Sequence, residues 1–396
     1  MTSTTSKKIV SRIPLSEPKM AGNEWAYIKE CLDTNWVSSA GKFVDRFEKM
    51  IAEYVGMKYA VACVNGTAAL HMALVVAGVK ANDEVLVPAL TFAAPAFATR
   101  YIGAWPTFID VDKTTCQLDP EKVRGFLSEM CEVKNGITIN RITKRLVRAI
   151  IPVHLLGHPV DMDPILELAK EYGLAVIEDA AESLGAKYKG DAVGKRGDIA
   201  CFSFNGNKII TTGGGGMIVT DNKEWAERAR YLTTQAKDDP IEYIHNTVGY
   251  NYRLTNIQAA MGVAQMEKID EYVLAKRCIA TRYAEGLGNV AGIKLPTEAS
   301  WAYSTFWLYT IMVDPAIYGM GSRDLMKKLS AASIDSRPLW HPLHTLVPFV
   351  GCAAYQIQAA EWIYEHGLSL PSSVGLRPED QQKVIYVLRK ISKKST

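Results

Sequence analysis

The chain has 396 residues, 48% hydrophobic and 22% charged, enough to bury a large core and carry a second lobe. A formal net charge of only +3, with acids and bases mixed throughout, offers neither a basic stripe for nucleic acid nor an acidic disordered tail. The longest apolar stretch, Met72 to Val79, is far too short to span a bilayer, and seven scattered cysteines without C-x-x-C spacing argue against a disulfide framework and a zinc site. The polar amino terminus, with no apolar stretch for a signal peptide, makes a reduced cytoplasm the expected setting, with no metal, membrane or nucleic-acid partner.

From Tyr59 to Thr220 short apolar runs alternate with helical patterns. Strands are predicted over residues 59–64, 84–88, 107–111, 149–153, 174–177, 199–204 and 217–220. Between the first five lie stretches of helical spacing, such as residues 163–172 with Ile165, Leu166 and Leu168 on the apolar side. This alternation implies an α/β fold with right-handed crossovers and a mostly parallel sheet covered on both faces. Only a short Gly-rich segment separates the last two strands, so an antiparallel pair is expected there. Residues 254–287 read as one long helix joining two lobes. Residues 292–396 mix a strand at 306–313 with helices at 323–332 and 378–391, a smaller α+β unit. The expected division is 1–265, amino-terminal segment and large unit, and 266–396, linking helix and small unit.

In open α/β sheets ligands bind beyond the carboxyl ends of the strands, and three junctions there carry chemistry. Asn65-Gly66-Thr67-Ala68 follows the first strand and opens a helix, whose free N–H groups and positive dipole end suit a phosphate; a glycine turn with a threonine N-cap is the simpler reading. Ile177-Glu178-Asp179-Ala180-Ala181-Glu182 ends a strand in two acids, either of which could keep a cationic ring nitrogen protonated or merely cap a helix. Phe202-Ser203-Phe204-Asn205-Gly206-Asn207-Lys208 runs from a strand into Thr211-Thr212 and the four glycines 213–216. A lysine leaving a buried strand can be partly desolvated, which lowers its pKa and makes the neutral amine available as a nucleophile; taken alone, a solvated surface lysine is the simpler reading. A phosphate turn, a strand-end acid and a strand-end lysine in one sheet together suit pyridoxal 5′-phosphate (PLP).

These motifs, in order, resemble the DegT/StrS-type aminotransferases, fold-type I PLP enzymes that aminate nucleotide-linked keto-sugars. The similarity runs from Trp36-Val37-Ser38 through Asp83-Glu84-Val85, Thr91-Phe92, Gly103, Phe108 and Asp110 to Gly249, Asn251, Arg253 and Leu343-His344. It implies an aspartate-aminotransferase-like fold. Lys208 would hold the cofactor as a Schiff base and shuttle protons, Asp179 would pair with the pyridinium nitrogen, and Phe92 would stack on the ring. The phosphate would lie on Gly66, Thr67, Ala68 and Ser203, with Asn251 reaching in from a second subunit of a homodimer with shared sites. Glu182, where many members carry Gln or His, would stand beside the phenolic oxygen. A sugar dehydratase of this family would carry histidine in place of Lys208, and a sensory protein would not need both Lys208 and Asp179.

The stretch 204–217 looks most like two subgroups, one that makes UDP-4-amino-4,6-dideoxy-N-acetylhexosamines for bacterial surface glycans and one that makes GDP-perosamine; the segment 233–246 favours the first, with the GDP-perosamine synthases as the alternative. The expected reaction moves an amino group from L-glutamate to C4 of UDP-2-acetamido-2,6-dideoxy-4-keto-hexose. Substrate contacts are expected from Trp36, Ser38, Tyr243, Arg253, Arg337 and His341; for Trp36 a packing role, and for Arg337 a surface ion pair, are equally open.

Overall fold

The computed structural model describes residues 12–239 and 241–392. Among them, the central sheet has eight strands: β1 (Tyr59–Cys63), β2 (Glu84–Pro88), β3 (Trp105–Ile109), β4 (Val147–Ile150), β5 (Ala175–Asp179), β6 (Ile199–Ser203), β7 (Gly216–Thr220) and β8 (Ala354–Tyr355). Their order across the sheet is β1-β7-β6-β5-β4-β2-β3-β8. All pairings are parallel except those of β7, which runs antiparallel to β1 and β6. The expected antiparallel pair is therefore present, and the fold is α/β as read from the sequence.

Strand alternation shows why the sheet is covered twice. Val61, Cys63, Ile199, Cys201 and Ile218 join one hydrophobic cluster, whereas Ala60, Ala62, Ala200, Phe202 and Val219 join another on the opposite face. Four strands end earlier than expected, two of them by more than one residue. Beyond Ile109 the Asp110 carboxylate turns to accept the N–H groups of Gln358, Ala359 and Ala360, starting a distant helix at Ala359. Beyond Ile150 the ladder meets Pro152, which has no N–H to give.

The single long helix expected over 254–287 is two helices, α2 (Asn256–Met266) and α3 (Ile269–Leu287), counting the helix Gly66–Val76 as α1. Thr255 and Gln258 form a capping box at the start of α2, and Lys268, at φ −116° and ψ 1°, breaks the helical path. The break lets each helix face its own core. At Gly262 in α2 a Cβ would lie 2.7 Å from the Phe47 ring, so the glycine admits that ring. Ile279, Tyr283 and Leu287 of α3 instead pack into the smaller lobe with Leu325, Leu368 and Val384.

That lobe is built on a three-stranded antiparallel sheet of Ile293–Lys294, Tyr309–Val313 and Gly367–Leu370. Its middle strand starts at Tyr309 rather than the expected 306, because Phe306 has a left-handed φ of +48° and the following tryptophan turns toward the other lobe. Two segments from beyond residue 266 return to the first lobe: β8 joins the main sheet, and Ala302–Tyr303 pairs with Lys187–Tyr188. We propose 1–265 and 266–396 as the two units, with these returning segments fastening them; residues 1–11 lie outside the described residues. Among the described residues no helix is long and apolar enough to cross a membrane, and five of the seven cysteines are buried and unpaired.

Candidate active site

The three junctions converge on one open cleft at the carboxyl ends of β1, β5 and β6. Its first wall is the turn from β1 into α1. The N-cap is Asn65, not the threonine considered above: its Oδ1 accepts the Ala68 N–H at 2.7 Å. The turn lies directly on β6, so that a Cβ on Gly66 would stand 2.8 Å from the Ser203 Cβ. Thr67 and Ser203 line the cleft here, and among the described residues neither hydroxyl has a hydrogen-bond partner. Ala68 is the exception to the expected phosphate cradle. Its N–H is already satisfied by Asn65, its side chain is buried, and it does not line the cleft.

The two acids at the end of β5 separate cleanly. Glu178 faces away from the cleft and accepts from His154 Nε2 at 2.8 Å, Gly194 N at 2.8 Å, Arg196 N at 2.9 Å and Gly197 N. Burial alone would raise its pKa, yet the His154 contact and these N–H groups hold it below the usual carboxylate range. Asp179 lines the cleft, and among the described residues only the Ala181 N–H, at 3.1 Å, donates to its carboxylate. Burial pushes its pKa up, opposed by that N–H and by the positive charge of Lys208.

Lys208 leaves β6 on a loop that folds back upon itself, with Phe204 N donating to Gly215 O and Thr212 N to Phe204 O. A Cβ on Gly215 would strike Thr212 and one on Gly216 would strike the Asn65 backbone, which accounts for two of the four glycines. The Lys208 Nζ stands 3.8 Å from Glu182 Oε1 and 4.2 Å from the centre of the Trp307 ring. Burial lowers its pKa, with Glu182 and Asp179 acting against it, so a larger share of neutral amine is present than on a surface lysine. Glu182 accepts the Leu156 N–H at 2.8 Å, and burial raises its carboxyl to about 7, opposed by Lys208. The phenyl ring of Phe92, 55% exposed, stands open at the cleft for a flat partner.

Two residues of this wall escaped sequence reasoning. Trp307 and Trp340 both line the cleft, their rings near parallel at 9° and 6.4 Å apart. Both come from beyond residue 266, outside the strand-end motifs, and a tryptophan inside an apolar run reads as core. Trp340 lies between the two residues chosen from its segment, Arg337 and His341, neither of which lines the cleft. Arg337 is exposed on a depression shared with Arg12 and Asp335, and His341 Nδ1 pairs with Thr345 Oγ1 at 2.8 Å.

The other expected substrate and partner residues also lie outside this chain's own cleft. The carbonyls of Trp36 and Ser38 accept from Asn256 Nδ2 and N, and the Trp36 ring is exposed over a separate depression near Cys31 and Lys42. Tyr243 is exposed at φ +53° with Lys237 Nζ 4.7 Å from its ring centre; Pro240, in the same segment, lies outside the described residues. Asn251 is exposed and bridged to Thr234. Arg253 bridges Cys63 at the end of β1, its Nη1 donating to Ser39 Oγ at 3.2 Å while its buried Nε has no partner.

Pyridoxal phosphate fits this cleft on the donor set alone. Thr67 and Ser203 offer free hydroxyls beside the positive end of α1 for the phosphate, Asp179 offers an undersatisfied buried carboxylate for a cationic ring nitrogen, and Phe92 offers an open ring face. Lys208 supplies the amine that the carbonyl of the cofactor requires.

Comparison with known proteins agrees. The model of the DegT/DnrJ/EryC1/StrS aminotransferase family matches residues 18–389. The chain is similar to the GDP-perosamine synthase of Caulobacter vibrioides, 43% identical over 96% of this chain and 98% of that protein. It is also similar to the GDP-perosamine synthase of Escherichia coli O157:H7, 39% identical over 96% and 98% of the two chains. Among solved structures it resembles DesV of S. venezuelae, crystallised in complex with a ketimine intermediate, with 31% identity, a TM-score of 0.83 and 94% of each chain covered.

Proposed function

The chain belongs to the DegT/DnrJ/EryC1/StrS aminotransferase family, and we propose that it transfers the amino group of L-glutamate to C4 of GDP-4-keto-6-deoxymannose. It is a PLP-dependent sugar aminotransferase; what is proposed is the sugar, the donor and the assembly. The observation that carries the choice of sugar is the pair of relatives named GDP-perosamine synthase, 43% and 39% identical over nearly full length. The UDP-2-acetamido sugar expected from the loop sequences gives way to this alternative on those relatives; Asn205, Asn207, Lys208, Gly214 and Gly215 of the stretch 204–217 line the cleft, whereas no described residue of 233–246 does. The enzyme would act in the cytoplasm, and its product would go into bacterial surface polysaccharide.

When bound, the cofactor supplies a carbonyl that accepts the amino group and an electron-withdrawing ring. The remaining work belongs to this chain. Asp179 keeps a proton on the ring nitrogen, because a nearby carboxylate favours the charged form. Lys208 Nζ, desolvated and neutral in a larger fraction, would take the proton from the reacting carbon and deliver the same proton onward, ending as the neutral amine it began, with Glu182 3.8 Å away to steady the ammonium in between. Trp307 and Trp340 exclude water from the Lys208 side of the cleft. The exposed Asn251, and Arg253 beside it, would complete a second chain's cleft in a symmetric homodimer. Mixing Lys208→Ala with an Asn251→Ala variant should then restore part of the activity through hybrid dimers, and a fully active monomer in light scattering would refute the shared site.

The sugar is tested by kcat/KM with purified enzyme, excess glutamate and 2-oxoglutarate detection. The expected ratio is at least about 100-fold in favour of GDP-4-keto-6-deoxymannose over UDP-2-acetamido-2,6-dideoxy-4-keto-hexose, since a site built around one set of polar groups leaves them unpaired on the other. The reverse preference would overturn the proposal.

A further inference from the structure

A second lysine is buried in this protein, and the chemistry above makes no use of it. Lys276 lies in the middle of α3, 2% exposed, and among the described residues no carboxylate pairs with it. Its Nζ donates to the Trp307 carbonyl at 2.8 Å and to the Ser372 carbonyl. These carbonyls stand on two chain segments that meet where the small sheet begins: Ser372 Oγ accepts the Tyr309 N–H at 2.9 Å and the Ser372 N–H donates to Leu15 O. Burial lowers the pKa of Lys276 to about 7. A neutral amine has two N–H donors for these two carbonyls, so the neutral form is fully satisfied.

The contacts continue toward the cleft. The Trp307 indole Nε1 donates to the carbonyl of Asn207 at 2.7 Å, the residue immediately before Lys208. The face of the same indole lies 4.2 Å from Lys208 Nζ and stacks on Trp340. One tryptophan therefore touches the nucleophile twice, through the backbone that carries it and through the ring that covers it, and its own backbone is held by Lys276.

We propose that Lys276 is a positioning residue: by gripping the Trp307 carbonyl it sets the indole that shields Lys208 and braces the Asn207–Lys208 backbone. A methionine of similar length would fill the same space but leave two buried carbonyls without donors, and the 307 segment would shift to find them. Because burial is the main cause of the lowered Lys208 pKa, loosening its cover must let water in and move that pKa upward. The inference rests on the Lys208 geometry and is independent of which sugar is aminated.

The test reads Lys208 directly, without turnover. Apoenzyme is pulse-labelled with acetic anhydride across a pH series, and the labelling of the Lys208 peptide is followed by mass spectrometry to give the midpoint of its ionisation. Lys276→Met should raise that midpoint by at least about 0.5 pH unit. Trp307→Phe, which keeps a ring but loses the indole N–H, should shift it in the same direction. The absorbance titration of the holoenzyme should move likewise. Lys276→Gln, which retains N–H donors for the carbonyls, is measured beside them and should shift the midpoint less than Lys276→Met. A Lys208 midpoint unchanged or lowered in folded Lys276→Met, or a shift in Lys276→Gln as large as in Lys276→Met, would show a purely structural lysine. An unshifted midpoint in Trp307→Phe would equally overturn the proposal, because the indole would then have no hold on Lys208.

Discussion

Glu178 and Asp179 are consecutive residues at the end of one strand, equally buried, and opposite in character. Glu178 points to the far face of the sheet, takes donors from His154 and three backbone N–H groups, and its pKa is lowered. Asp179 points into the cleft, takes one N–H, and its pKa is raised. Position at a strand end does not make an acid functional. What distinguishes the two is how much of each carboxylate's demand for donors the protein already meets, and Asp179 is left for a ligand to satisfy.

The largest effect that bears on this contrast is on the cleft side. Lys208→Ala should abolish transamination while leaving the fold intact, since its side chain contacts other groups only across the cleft. Turnover near the wild-type rate would remove Lys208, and with it the reason for Asp179 to stand unsatisfied. Next comes Asp179→Asn, which keeps the shape and removes the charge. We expect kcat to fall at least about 100-fold, roughly 2.7 kcal/mol in the barrier, with thermal stability unchanged or raised because a buried, poorly paired charge is gone. A loss below about fivefold would mean that another group holds the ring nitrogen.

Glu178→Gln should do the reverse. It breaks the charged contact with His154 and leaves one of the N–H groups at 194–197 without an acceptor, so unfolding in urea should reveal a loss of about 2 kcal/mol. The folded fraction should keep its kcat within about threefold of wild type, a barrier change well under 1 kcal/mol. If Glu178→Gln cost rate rather than stability, the division between the two acids would fail.

Much of this was legible in the sequence, and the limits are physical. The Lys208, Asp179 and Gly66-Thr67 junctions could be found because strand ends in an α/β sheet point to one edge, a rule that needs only strand boundaries. Which of Glu178 and Asp179 enters the cleft depends on a one-residue phase of the strand; the motif, not the spacing, points to Asp179, the one of the two that lines the cleft. Asn65 as the cap in place of Thr67 turned on where the first helical turn begins: the helix starts at Gly66, so the Asn65 side chain takes the Ala68 N–H three residues on. Trp307 and Trp340 could not be found at all, since they meet the cleft only after the small lobe folds back. Lys276 was equally hidden, because a lysine in mid-helix reads as solvated until the packing of α3 is known.

The smallest expected effect concerns Glu182, which lies between the two extremes: one backbone N–H, from Leu156, and a lysine 3.8 Å away. Its pKa in the folded protein, about 7, is above its ordinary value of 4.5, so between those limits the native state holds a proton that the unfolded chain has released. Stability from this group is therefore full below about pH 4.5 and is lost as the pH rises through about 7. Glu178 has the opposite sign, since a lowered pKa contributes stability that is present in the neutral range and lost on acidification. The Lys208 charge is coupled to Glu182, so the cleanest comparison is made in Lys208→Ala apoenzyme, where loss of the cation pushes the Glu182 carboxyl further up. Adding Glu182→Gln to that background removes the titrating group and keeps its size. Urea unfolding at pH 5 and pH 7.5 should show the single variant losing about 1–2 kcal/mol more than the double over that interval. Equal slopes would mean that Glu182 is ionised in the fold throughout, and that it stands with Glu178 as a structural acid instead of with Asp179.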